Sequence, residues 1–114
     1  MSDLNNLDSV EILPLWSQAE AIDLAAQIER AAYKIGYHAA LTGSCLYRGF
    51  SSKDCDIILY PHKSRETKPA ADVLARLAEK CGVVVVEERK HTYDDKEVWW
   101  CKVGERRVDI FFME

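Results

Sequence analysis

The chain has 114 residues, enough for one small domain with its own core, and no composition shift, repeat or linker divides 1–114. With 48% apolar and 30% charged residues it has an ordinary globular balance, and its net charge of −4 argues against a large nucleic-acid surface while allowing a small nucleotide held through a metal. Its apolar runs are too short to cross a membrane, Met1-Ser2-Asp3-Leu4-Asn5-Asn6 is no signal peptide, and Cys45, Cys55, Cys81 and Cys101 form no C-x-x-C, so a reducing, cytoplasmic setting is expected.

Residues 1–13 read as an N-terminal arm whose Val10, Ile12 and Leu13 dock on the body. Ser17 and Glu20 form a capping box, so a helix is predicted to follow. Leu24, Ile28, Ala31 and Ile35 give it one apolar stripe, and Gly36 fits the left-handed position that ends a helix. A short strand over 39–42 leads into Gly43-Ser44. The stretch 45–53 reads as loop or a single helical turn, and 55–60 as a second strand stopped by Pro61. A polar loop then precedes a second helix over 69–80, with Leu74, Leu77 and Cys81 on one face and Gly82 beyond its end. Val83 to Val86 is an unbroken β-branched run, hence a buried strand. Asp94-Asp95 offers a turn into a strand over 98–101, and Gly104-Glu105 a hairpin into a last strand over 106–112. The expected fold is α+β: a mixed sheet of about five strands with two main helices on one face.

Three carboxylates stand in strands that otherwise read as core. Asp54 and Asp56 share one face by the two-residue period, and Asp109 lies inside Val108-Asp109-Ile110-Phe111-Phe112. Two anions about 5 Å apart repel by roughly 3 kcal/mol at an effective dielectric near 20. A divalent cation converts that repulsion into a binding site, and hard oxygen ligands suit magnesium. The structural alternatives are that Asp54 caps the loop, that Asp56 meets a local arginine, and that Arg107, two residues from Asp109 on the same face, pairs with it. Gly43 lets the chain turn tightly after a strand, and the N–H groups there, with the Ser44 hydroxyl, suit phosphate oxygens; a plain turn is the alternative. Arg48 and Lys53 are the nearest cations able to reach a phosphate, or else are solvated loop charges. Trp99 and Trp100 point to opposite faces, so one is core and the other is available to stack a base or to pack under the arm. His38, His62 and His91 share no ligand spacing, and the basic run Arg89-Lys90-His91 reads as a solvated strand end.

Together, Leu41-Thr42-Gly43-Ser44, a nine-residue spacer, Asp54-Cys55-Asp56-Ile57 and Val108-Asp109-Ile110 resemble the nucleotidyltransferase superfamily related to DNA polymerase beta. The resemblance spans about 18–112 and includes the order of elements. It implies that Asp54, Asp56 and Asp109 are catalytic and hold two Mg2+ ions during turnover. It implies that Gly43 and Ser44, helped by Arg48 and Lys53, bind the triphosphate, and that Asp109 takes the proton from the attacking hydroxyl. The implied reaction moves a nucleoside monophosphate from a nucleoside triphosphate, with ATP the expected donor, to a hydroxyl of a protein or RNA acceptor. The alternative is a catalytically weak or inactive binding module, such as an antitoxin or regulatory subunit, working with a protein partner or as a homo-oligomer. In the small antitoxin members an arginine and glycine follow Gly-Ser; Arg48-Gly49 is similar but shifted by about one residue. The base- and acceptor-binding helices of larger members have no counterpart here.

Overall fold

The computed structural model describes residues 15–63, 66–93 and 96–113, with side chains described outside 87–93. The expected N-terminal arm and the Asp94-Asp95 turn lie outside the described residues. In chain order the elements are β1 (Trp16–Ser17), α1 (Gln18–Tyr33), β2 (Tyr37–Thr42), α2 (Gly43–Tyr47), β3 (Phe50–Ser51), β4 (Asp54–Pro61), α3 (Ala70–Cys81), β5 (Val84–Tyr93), β6 (Lys96–Val103) and β7 (Arg106–Phe112). The fold is the expected α+β arrangement, with a five-stranded mixed sheet in the order β2-β4-β7-β6-β5.

Helix α1 begins where the sequence places it. The Ser17 hydroxyl accepts from the Glu20 N–H at 3.1 Å, and the Glu20 carboxylate accepts from the Ser17 N–H at 3.1 Å, satisfying two donors that have no intrahelical partner. Its stripe of Ala21, Leu24, Ile28, Ala31 and Ala32 is buried, as are Val73, Leu74 and Leu77 of α3. Both stripes cover one sheet face, formed by Cys55, Ile57 and Leu59 of β4 and Val108, Ile110 and Phe112 of β7. These rows lie opposite one another in a parallel pairing, Cys55 with Val108, Ile57 with Ile110 and Leu59 with Phe112. Burying each large side chain contributes roughly 1.5–3 kcal/mol. The period of two then sends Asp54, Asp56, Arg107 and Asp109 to the other face.

Three features depart from expectation. Gly43 opens a five-residue helix, so α2 starts two residues earlier than the expected turn. β1 and β3 form a separate two-stranded antiparallel sheet, pairing Trp16 with Ser51 and Ser17 with Phe50; segments this short carry no readable period. Strand β5 extends well past Val86, with a register shift against β6 between Val85 and Lys90.

Gly36 joins α1 to β2 with a φ of +100°, and a Cβ there would sit 2.6 Å from the Glu66 carbonyl oxygen. Gly36→Ala is therefore expected to cost about 2 kcal/mol or more, from backbone strain plus the displaced 66–67 segment. Urea denaturation checks this; a cost under about 0.5 kcal/mol would contradict it.

Candidate metal and nucleotide site

The parallel register of β4 and β7 builds the site. It sets Asp56 opposite Asp109 and Asp54 opposite Arg107. One oxygen from each of Asp54, Asp56 and Asp109 lies within 4.8 Å of the other two. Asp109 is buried, and Asp54 and Asp56 are half-buried. The structure thus brings Asp109 to Asp54 and Asp56, from which sequence separates it by more than fifty residues.

One cation already stands among them. Arg107 donates from Nε to Asp109 Oδ1 at 2.9 Å and from Nη2 to Oδ2 at 3.1 Å, a bidentate pair, and its Nε lies 3.8 Å from Asp54 Oδ2. Its guanidinium rests 4.4 Å above the Trp100 ring, so Trp100 is the indole on the carboxylate face, while Trp99 packs against the core. The pairing of Arg107 with Asp109, one of the alternatives open from sequence, is present. It does not neutralise the cluster: three carboxylates and one guanidinium leave a formal charge of −2.

The imbalance appears in the protonation of the acids. Burial pushes the Asp56 carboxyl up to about 7, reinforced by Asp54 and Asp109 and opposed by Arg107. Burial also raises Asp54, with Asp109 adding to the effect and Arg107 and Lys53 opposing it. Desolvated, mutually repelling oxygen donors of this kind fit a hard divalent cation. The thiols do not compete for that role: Cys45, Cys55 and Cys101 are buried and free, and burial raises all three.

Local backbone aims each acid. The Ser51 hydroxyl accepts from the Lys53 N–H at 3.2 Å and the Asp54 N–H at 3.1 Å, turning the chain into β4. Ser51 is therefore a positioning residue. Trp16, buried on β1, donates its indole N–H to the Arg107 carbonyl at 2.9 Å, and Arg106 lies 3.8 Å over its ring. Arg106 also donates to the Glu20 carboxylate at 2.9 Å, so the helix cap and the β7 end share one charge pair. Gly43 sits against the Asp56 side chain, where any Cβ would collide with the Asp56 Oδ2 atom, and its φ is +71°. The Ser44 hydroxyl makes no hydrogen bond among the described residues, and the Arg48 guanidinium lies 5.0 Å over Phe50. Beside Asp56, an open cleft of about 270 Å3 is lined by Thr42, Gly43, Ile58, Phe111 and Lys96. Lys96 was missed in sequence because only strand register brings it here.

Comparison with known proteins yields structural likeness alone. No family model and no curated protein matches the chain. Among solved structures, a cytoplasmic RNA terminal U-transferase is similar over 91% of this chain, with a TM-score of 0.56 and 14% identity. The fold is nucleotidyltransferase-like. The chain covers 32% of that transferase, about one third of its length. No helix among the described residues is long and apolar enough to cross a membrane.

The Asp56 shift gives a signed prediction. An unfolded aspartate titrates near 3.9, so between about pH 4 and pH 7 the folded chain holds a proton that the unfolded chain has lost. The stabilisation this provides is fully present below pH 4 and is lost as pH rises through 7. Asp56→Asn, which cannot ionise, is expected to melt above wild type at pH 8 in chelator-treated buffer, with the gap closing towards pH 4. A pH-independent gap, or one of opposite sign, would contradict the unpaired-anion account.

Proposed function

We propose that the chain is a minimal, magnesium-dependent nucleotidyltransferase domain that moves a nucleoside monophosphate from a nucleoside triphosphate, with ATP the expected donor, to a hydroxyl on an RNA or protein. The observation that carries this reading is the under-neutralised cluster of Asp54, Asp56 and Asp109 on adjacent parallel strands, with Gly43 packed against Asp56. The nucleotidyltransferase-like fold supports it.

Asp54, Asp56 and Asp109 would hold the divalent ions, which supply charge neutralisation and activation of oxygen for in-line displacement. Gly43 leaves the Asp56 carboxylate room and keeps the α2 turn close to it, so the backbone N–H groups and the Ser44 hydroxyl meet the triphosphate beside the acids. Lys53, which already acts on Asp54, adds positive charge on that side, and Arg48 reaches the phosphates by leaving Phe50. A carboxylate oxygen of Asp109 accepts the proton of the attacking hydroxyl once Arg107 shares or releases it. Most of the rate then comes from positioning and charge neutralisation, which few side chains can supply.

One observation favours a second reading. Both oxygens of Asp109 are already engaged by Arg107, which suits a domain that binds nucleotide or a partner and turns over weakly or not at all.

Incubation with each α-labelled nucleoside triphosphate, magnesium and pooled RNA or protein acceptors tests both. The first reading expects magnesium-dependent label transfer, reduced about a thousandfold by Asp54→Asn with Asp56→Asn. Magnesium-dependent nucleotide binding without transfer would favour the second reading, and absence of both would overturn the first and leave the second only as a partner-binding module.

A further inference from the structure

The helix layer concentrates positive charge that the carboxylate site does not use. Helices α1 and α3 pack antiparallel: Cys81 Sγ meets the Gln27 carbonyl at 3.5 Å, and Arg76 Nε donates to the Ala31 carbonyl at 2.6 Å. That packing gathers Arg30, Lys34, Arg76 and Lys80, with Gln27 and Ala31, around one cleft of about 390 Å3. Four cations converge there in a chain whose net charge is −4.

Carboxylate pairing does not account for Arg30, Arg76 and Lys80. Among the described residues Arg30 has no carboxylate partner, and Arg76 donates from Nε to a backbone carbonyl. Lys80 meets Glu79 at 3.4 Å, but both side chains are largely exposed and such a pair contributes little. Helix dipoles favour cations in a last turn, which explains Arg30 and Lys80 but not Arg76 in the middle of α3. Two guanidinium forks and two ammonium groups in one cleft match phosphate oxygens.

A stacking surface adjoins this charge. Tyr33, one residue before Lys34, meets the His62 ring edge-on at 5.0 Å. His62 lies 4.7 Å from His38, which lies 5.3 Å from Tyr60. Glu29 holds this platform in place, accepting from the Ala39 N–H at 2.7 Å and meeting His38 Nδ1 at 2.8 Å. Tyr33 and Tyr60 are 37% and 41% exposed. Because β2 is an edge strand, the rings stand where the helix layer meets the open sheet face. His38 pairs with Tyr60 four residues along from the Thr42–Asp56 pair, about 13 Å away at strand rise.

We propose that the α1–α3 cleft and the adjoining ring cluster bind single-stranded RNA, cations on phosphates and rings on bases. A groove of cations beside sequence-tolerant stacking rings is the chemistry of single-strand binding, and an acidic peptide would leave the rings without a role. The surface stands without the transferase reading; only the inference that the strand runs on towards Asp56 and Asp109 rests on it.

Fluorescence anisotropy of a labelled 12-residue oligoadenylate on the full chain tests the proposal. Binding is expected to weaken with salt, with a log–log slope of about −2 to −3 for contacts to as many as four phosphates. Arg30→Glu with Lys80→Glu should weaken it at least tenfold, and Tyr33→Ala about fivefold or more, all at exposed positions that leave the core intact. Asp54→Asn with Asp56→Asn should bind the RNA like wild type, which separates failure here from failure of the catalytic reading. No binding by wild type at 50 mM salt, binding indifferent to the charge reversal, or equal competition by polyglutamate would each overturn the proposal.

Discussion

The parallel pairing of β4 with β7 is the constraint on which the site depends. It sets Asp56 opposite Asp109 on one face and Ile57 opposite Ile110 on the other. A shift of one residue would send the carboxylates into the helix-covered core and the isoleucines to the open face, so the register is enforced by hydrophobic burial. Packing energy from α1 and α3 is in this sense what holds three anions together. The site is costly in isolation and is carried by the core beneath it.

Around that pairing, the supports are local and mostly neutral in charge. Ser51 aims Asp54, Gly43 makes room for Asp56, and Trp16 anchors the β7 backbone at Arg107. Arg107 has a double role: it orients Asp109 through two hydrogen bonds and offsets part of the anionic charge, while Trp100 supports its guanidinium from below. The residual formal charge of −2 matches what a single divalent ion would neutralise.

Much of this was legible in the sequence. Alternation in Asp54-Cys55-Asp56-Ile57 and the apolar setting of Asp109 marked the carboxylates, and the Ser17–Glu20 box marked the helix start. Strand pairing was less legible, because nothing in β4 names β7 as its parallel neighbour across fifty residues. β1 and β3 have two residues each, too few for a period, which is why Ser51 looked like an ordinary loop serine and Trp16 carried no role. Arg30, Lys34, Arg76 and Lys80 carry no shared signal in the sequence, because only antiparallel helix packing places them around one cleft.

The central claim is that Asp54, Asp56 and Asp109 form a divalent-cation site that Arg107 leaves under-neutralised. Titration of Mn2+ into the chelator-treated protein at pH 8, followed by the free-ion electron paramagnetic resonance signal, tests it most directly. The account predicts saturable loss of free-ion signal for wild type, abolished in Asp54→Asn with Asp56→Asn. Equal, weak uptake by both proteins would show that Arg107 alone balances the cluster and would contradict the account.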